Sequence, residues 1–198
     1  IENMVEGENI AYAESRQSYQ NTDVIRGVAF VRGRYFILAD HLSSEQDLER
    51  EYRFRLHAFA GKDLDGTVIM EDYGPHIEKE NGSVLTYTSS SQGDCILEEP
   101  NFKAYNSPHV HKLVKEAEHH FVTDSVIKGR APDFLTVLAP YKSGSIEGSD
   151  APLSVKPIDT KNGVAWEIIG EKTVDVAWIR EEDAPNSLVV ASGDTITT

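Results

Sequence analysis

The chain has 198 residues, and its 39% hydrophobic content suffices for one sizeable globular core or two small ones. Its 33 acidic residues outnumber the 19 lysines and arginines, and the formal net charge of −14 makes the whole chain a poor partner for DNA, RNA or anionic membranes. Because Cys95 is the single cysteine, an internal disulfide and a cysteine-rich zinc site are both excluded.

Short runs rich in Val, Ile, Tyr, Phe and Thr are separated by Gly, Asn, Asp, Ser and Pro, which is the pattern of an all-β protein. Eleven or more such strands without alternating helices predict an antiparallel β-sandwich with two layered sheets. In chain order, the predicted strands cover residues 9–15, 24–31, 34–40, 51–60, 66–71, 83–89, 94–99, 121–129, 133–140, 163–170, 173–180 and 187–192.

Two hairpins are predicted among the early strands. Arg32 and Gly33 form a two-residue connection between 24–31 and 34–40, and glycine accepts the positive φ that such turns require. The polar connection that follows predicts a second hairpin, in which 34–40 pairs with 51–59.

Two segments differ from the strand pattern. Apolar residues at i, i+3, i+4 and i+7 predict a short amphipathic helix over 110–118. The sequence KSGSIEGSDAP, residues 142–152, has the composition of a flexible loop. The segment after this loop is too short for a comfortable core of its own, so we expect residues 1–198 to form a single sandwich domain.

The amino-terminal residues, IENMVEGEN, have neither the basic start nor the apolar stretch of a signal peptide. No apolar run is long enough for a transmembrane helix, and position 1 is not a methionine. We therefore expect the chain to come from inside a longer or processed polypeptide.

The stretches RGVAFVRGRYFILAD, YRFRLHAFAG and HHFVTDSVIKGRAPDFLTVLAPY carry a family resemblance that covers roughly residues 19 to 141. Together they resemble the C-terminal β-sandwich of the heparinase II/III-like polysaccharide lyases. In that family an Arg begins a strand, a hairpin leads to a strand that ends in Asp, and a later strand carries a His. Here these positions are Arg26, Asp40 and His57, and Phe134–Leu138 matches the closing strand of the family.

The resemblance implies a β-eliminase of uronic-acid-containing polysaccharides. Such an enzyme removes the proton α to the uronate carboxyl group and expels the glycosidic oxygen at C4, which needs a neutralised carboxylate, a base and an acid. In the family these groups come mainly from a helical toroid domain upstream of the sandwich, and this β-rich chain does not contain one. The resemblance thus implies the supporting C-terminal part of a bacterial, periplasmic or secreted lyase, with an acidic polysaccharide and the toroid as partners. We expect the isolated chain to be inactive.

Asp40 and His57 are the candidate metal ligands. Some members of the resembled family hold a structural zinc in the sandwich through His and Asp, and only these two positions match here. A closed zinc site needs about four ligands, so two more would have to come from elsewhere. The alternative is that Asp40 accepts N–H bonds at the end of a strand and that His57 is an ordinary residue of a sheet.

Arg53 and Arg55 are candidate substrate-binding residues. Strand alternation places both on one face with His57, while the Tyr, Phe and Leu between them face the core. Guanidinium groups suit uronate carboxylates or sulfates, with which they form paired hydrogen bonds. The alternative is a solvated face whose arginines pair with the acidic residues of 45–51.

Tyr73 and His76 are further candidates for substrate binding. They belong to the sequence DYGPH, a predicted turn that we expect to expose both side chains at one edge. No complete catalytic set is present in the sequence, so no catalytic residue is assigned. A second functional class stays open, in which the chain is a stand-alone carbohydrate-binding or interaction module without catalysis.

Overall fold

The computed structural model describes residues 1, 3–46, 48–58, 60, 65–98, 100–105, 118–142, 153–158, 164–170, 173–179 and 188–194. Within these ranges the strands pair antiparallel and no helix occurs, which confirms the predicted all-β, antiparallel sandwich. Accordingly, the described part of the chain has no helix long and apolar enough to cross a membrane.

Two predictions fall wholly or largely outside the described residues. The predicted helix over 110–118 lies outside them up to residue 117, and the chain is a strand from Glu118 onward. The predicted loop over 142–152 lies outside them after Lys142. The single-domain organisation of 1–198 stays a prediction.

The described residues form sixteen strands. In chain order they are β1 (Asn3–Glu6), β2 (Ile10–Tyr19), β3 (Thr22–Val31), β4 (Tyr35–Ser43), β5 (Arg50–Ala58), β6 (Thr67–Glu71), β7 (Gly74–Glu78), β8 (Ser83–Ser90), β9 (Ile96–Leu97), β10 (Asn101–Tyr105), β11 (Glu118–Gly129), β12 (Phe134–Tyr141), β13 (Ser154–Ile158), β14 (Val164–Ile169), β15 (Thr173–Ile179) and β16 (Leu188–Asp194).

An eight-stranded central sheet has the order β1-β2-β3-β4-β12-β8-β7-β6. Its β3–β4 hairpin confirms that the two predicted strands pair, but Val31 lies opposite Tyr35, so the loop has three residues, Arg32, Gly33 and Arg34, where two had been predicted. Gly33 adopts a φ of 74°, as the predicted turn requires. The rings of Phe30 and Phe36 stack across the two strands with centroids 4.5 Å apart, so a cross-strand aromatic pair reinforces this register.

Two smaller sheets accompany the central sheet. A second sheet contains β10, β11 and β5 in that order, with β9 paired to β11, and a third has the order β13-β14-β15-β16. The predicted hairpin between 34–40 and 51–59 is wrong, because β4 pairs with β3 and β12 whereas β5 pairs with β11. Both edges of β4 are thus occupied within the central sheet, and the polar connection carries the chain to another layer.

Around β4 the central sheet packs against apolar residues on both of its faces. On one face, Ile37 belongs to a core cluster with Trp166 and Ile168 of the third sheet. On the other face, Leu42 packs in a cluster with Phe54 of the second sheet. Because β4 packs on both sides, its residues 35–39, YFILA, form a continuous hydrophobic run rather than an alternating one.

A polar contact joins the third sheet to the central sheet. Asp175 of β15 is fully buried and accepts a hydrogen bond from the hydroxyl group of Tyr35 at the start of β4. Arg34 pairs with the same carboxylate, Nη1 to Oδ2 at 2.8 Å, and its Nη1 also lies 2.9 Å from Thr173 Oγ1. Burial and the hydrogen bond to Asp175 raise the pKa of Tyr35. The buried carboxylate therefore has the charged and hydrogen-bonding partners that burial demands.

Candidate functional site

Asp40 lies at the buried end of the hydrophobic run of β4, directly opposite Arg26 of β3. Arg26 donates from Nε to Asp40 Oδ1 at 2.5 Å and from Nη2 to Oδ2 at 2.6 Å. The hydrogen bond to Asp40 raises the pKa of Arg26, and the guanidinium carbon also lies 5.8 Å from the ring centroid of Phe54. Both carboxylate oxygens are thus engaged by one cation, in the fork geometry that arginine favours.

The predicted zinc ligands lie on opposite sides of the second sheet. Asp40 and Arg26 are on the face of the central sheet that packs against Phe54, whereas His57 shares the exposed face of β5. As placed, the two residues do not fit one zinc ion, since Asp40 is held by an arginine cation. Among the described residues, no group of three or more His, Cys, Asp or Glu side chains is arranged to hold a metal. Zinc binding by Asp40 and His57 stays a prediction.

Arg53 and Arg55 form a charged cluster on the outer face of the second sheet. Arg55 pairs across the strands with Asp124 of β11, donating from Nε to Oδ1 at 2.7 Å and from Nη2 to Oδ2 at 2.6 Å. Arg53 donates from Nη1 to the same Asp124 at 3.0 Å and to Glu98 at 2.7 Å, and from Nε to Glu51 at 2.8 Å. Hydrogen bonds from Arg55, and then from Arg53, lower the pKa of Asp124 although its burial opposes this shift. We call these five residues the arginine cluster.

The arginine cluster confirms the predicted faces of β5. Arg53 and Arg55 are exposed, while Tyr52 and Leu56 pack against the core cluster of Phe54. Glu51 is one of the acidic partners expected from 45–51, but Glu98 and Asp124 come from elsewhere in the chain. No local sequence signal identifies them, because they depend on the pairing of β5 with β11.

Tyr73 and His76 lie in and beside the turn that connects β6 to β7. This turn confirms the predicted one, but both side chains are half-buried rather than exposed. The ring of Tyr73 stacks on Tyr87 of β8 with centroids 4.8 Å apart, and burial raises the pKa of Tyr73. His76 Nε2 is hydrogen-bonded to the hydroxyl group of Tyr141. The two candidates thus contact different aromatic partners inside the sandwich.

A cleft of about 350 Å³ opens beside Tyr73 and Tyr87. Its other walls come from the connection after β8, which includes Cys95, and from Val155 and Pro157 of β13. Burial, followed by the charge of Asp94, raises the pKa of the Cys95 thiol to about 11. We call this space the tyrosine cleft.

A histidine–aspartate pair, which the sequence had not indicated, lies next to Asp40. His41 Nδ1 is 2.8 Å from Asp133 Oδ1, and the same oxygen accepts a hydrogen bond from the backbone N–H of Leu42 at 3.4 Å. The backbone N–H of Asp133 donates to Ser91 Oγ at 2.9 Å. These contacts fasten the end of β4 to the start of β12, and they depend on a strand pairing that local sequence does not reveal.

Comparison with known proteins gives structural matches only. No family model matches the chain, and no curated protein sequence matches it significantly. A heparinase III gene product matches 90% of this chain with a TM-score of 0.64 and 17% identity, and a second heparinase III structure gives 90%, 0.64 and 18%. A heparan sulfate lyase from Pedobacter heparinus matches 92% of the chain with a TM-score of 0.64 and 12% identity. The fold is shared with part of heparinase III.

The match to heparinase III is partial in length. This chain covers 27% and 26% of the two heparinase III chains and 28% of the heparan sulfate lyase chain. The structural match establishes a common fold, but at such low sequence identity it does not transfer the role of any residue. The predicted resemblance is therefore confirmed at the level of the β-sandwich.

Proposed function

We propose that the chain is the C-terminal β-sandwich part of a heparinase II/III-like polysaccharide lyase that acts by β-elimination. The supporting observation is the agreement of about 90% of this chain with a little over a quarter of each heparinase III chain. Those proteins are described as heparinase III and as heparan sulfate lyase, which suits a polysaccharide substrate for this chain as well. The sandwich supports the substrate cleft, and an upstream helical toroid supplies most of the catalytic groups.

The arginine cluster is the proposed contact for the acidic groups of the polysaccharide. Arg55 already holds one carboxylate, Asp124, by two parallel hydrogen bonds, which is the geometry that a uronate or sulfate group needs. The side chains of Arg53 and Arg55 are 35% and 45% exposed, so an incoming anion can reach them. The anion has to share these donors with the acidic residues of the cluster, so each contact contributes modest affinity and strong salt dependence.

Tyr73 and His76 are proposed to contribute to substrate binding through the turn between β6 and β7. Tyr73 lines the tyrosine cleft, and His76 is fixed by Tyr141. A periplasmic or secreted location belongs to the same proposal, because the polysaccharide substrates of such lyases lie outside the cytoplasm.

Lyase activity distinguishes this proposal from a stand-alone binding module. The isolated chain and the full-length product of its reading frame are each incubated with heparan sulfate, and the unsaturated product is followed by its ultraviolet absorbance. We expect no activity from the isolated chain and activity from the full-length protein. Robust cleavage by the isolated chain would contradict the supporting role, and saccharide binding without cleavage by the full-length protein would favour the binding module.

Binding measurements test the arginine cluster separately. Arg53→Ala combined with Arg55→Ala should lower the affinity of the isolated chain for a heparan sulfate oligosaccharide about tenfold, because two cationic contacts are lost. Arg16→Ala is the matched control, since Arg16 is also exposed and lies on another strand. Equal affinities of the double variant and the control would remove the cluster from the proposed substrate contacts.

A further inference from the structure

The tyrosine cleft combines an aromatic wall with small polar groups. Tyr73 and Tyr87 form a stacked pair, and the hydroxyl residues Thr88 and Ser89 line the space beside them. Binding sites for small organic ligands have this composition, with apolar or aromatic walls and a few polar groups that fix orientation. A volume of about 350 Å³ is at the small end of such sites, which suits a single sugar ring rather than a long segment of a polysaccharide.

The charge of the tyrosine cleft disfavours an acidic sugar. Its lining includes the exposed carboxylates Asp72 and Asp94, and none of its described lining residues is Lys, Arg or His. A uronate or sulfate placed there would meet two like charges and no compensating cation, in a chain whose net charge is −14. The hydroxyl groups of an uncharged sugar, in contrast, donate hydrogen bonds to carboxylates.

We propose that the tyrosine cleft is a subsite for a neutral sugar ring. This inference rests on the proposed function, because a uronate-containing polysaccharide such as heparan sulfate also carries uncharged sugar units. The two sites then recognise sugar units of different charge. The arginine cluster contacts the acidic unit, and the tyrosine cleft takes the uncharged unit against Tyr73.

Cys95 provides a reporter of occupancy, because this single cysteine of the chain lines the cleft. Its modification by the neutral reagent methyl methanethiosulfonate is timed with and without saccharide. The probes are a neutral trisaccharide of N-acetylglucosamine, a neutral trisaccharide of glucose and an acidic tetrasaccharide of galacturonic acid, in which every ring carries a carboxylate. We expect at least one neutral trisaccharide to slow the modification threefold or more at millimolar concentration and the acidic probe to leave its rate unchanged. Equal protection by the acidic probe, or no protection by either neutral probe, would overturn the proposal.

Variants of the cleft sharpen this test. Tyr73→Ala should abolish protection by the neutral trisaccharide, and circular dichroism checks that the variant is folded. Should that variant fail to fold, Asp72→Asn with Asp94→Asn still tests the charge argument, because both side chains are exposed. We expect the double variant to allow protection by the acidic tetrasaccharide. Persistent exclusion of the acidic probe would contradict the charge argument.

Direct titration calorimetry separates failure of this subsite from failure of the proposed function. Binding of the acidic tetrasaccharide that depends on Arg53 and Arg55, without protection of Cys95 by the neutral probes, would overturn only the cleft. Binding of the neutral trisaccharide without any binding of the acidic probe would support the cleft and contradict the proposed acidic substrate.

Discussion

The ion pair between Arg26 and Asp40 should contribute far more to stability than an exposed pair in the same sheet. The side chain of Asp40 is only 5% exposed, whereas that of Arg26 is 41% exposed. The exposed comparison is Arg32 with Glu6, 2.7 Å apart, in which the arginine is again 41% exposed but the carboxylate is 68% exposed. The two pairs therefore differ in the burial of the acid and in the number of hydrogen bonds, which is two for Arg26 and Asp40 and one for Arg32 and Glu6.

Arg26→Ala leaves a buried carboxylate without its cation, which costs about 3 kcal/mol, the lower end of the range for breaking a buried pair. Asp40→Ala costs less, about 1.5 kcal/mol, because the half-exposed guanidinium group of Arg26 can be hydrated. We expect a coupling energy of about 2 kcal/mol for Arg26 and Asp40, and of at most about 0.5 kcal/mol for Arg32 and Glu6.

Urea unfolding at pH 7, followed by tryptophan fluorescence, measures both double-mutant cycles. The cycle also removes the contribution of packing between Arg26 and Phe54, since every variant without Arg26 loses it equally. Raising the salt concentration to about 1 M should weaken only the exposed pair. If the two coupling energies agreed within about 0.5 kcal/mol, burial of Asp40 would not be the source of the stabilisation.

Three further predictions concern single positions. A Cβ atom at Gly74, where φ is 143°, would lie 2.2 Å from the backbone oxygen of Thr86, whereas at Gly93, where φ is 124°, the space is open. Gly74→Ala should therefore lower the free energy of unfolding in urea by at least about 2 kcal/mol more than the control Gly93→Ala. Equal losses of stability would refute the contact. The modification rate of Cys95 by methyl methanethiosulfonate should rise with pH towards a midpoint near pH 11, against about 9 for the urea-unfolded chain, and coincident midpoints would disprove its burial. The pKa of Asp124 is lowered in the folded state, so its ionised form stabilises the fold above the unfolded-state pKa, and this contribution is lost as pH falls through the folded-state pKa. Asp124→Asn should therefore be less stable than the original chain at pH 7 and lose this difference in acid, whereas a difference independent of pH would argue against the ionised carboxylate.

Local sequence was sufficient where neighbouring strands pair directly. The Arg32-Gly33 turn and the apolar runs on either side of it predict the β3–β4 hairpin, and alternation in β5 correctly separates Arg53 and Arg55 from the core. In both cases the physical cause, a turn conformation or a two-residue period, lies within a few residues.

The rest depends on contacts between residues that are distant in the chain. The pairing of β5 with β11, which brings Asp124 to Arg55, joins positions 69 residues apart. The arginine partner of Asp40 is also set by register, since Arg26 faces it only when the β3–β4 hairpin has the observed alignment. For these residues the sequence indicated their faces and their chemical character, and the sheet order determined their partners.

The buried carboxylate of Asp175 also has a mechanical consequence for the distant tyrosine cleft. Apolar side chains of two packed sheets interdigitate, but they fix the position of the third sheet on the central one without directional bonds. Hydrogen bonds from Tyr35 and Arg34 to a single buried acid add directional contacts at one point of the interface between the two sheets. Since β13 of the third sheet forms one wall of the cleft and Tyr87 of the central sheet forms another, we expect the Asp175 contact to help to hold the opening between them at a fixed width.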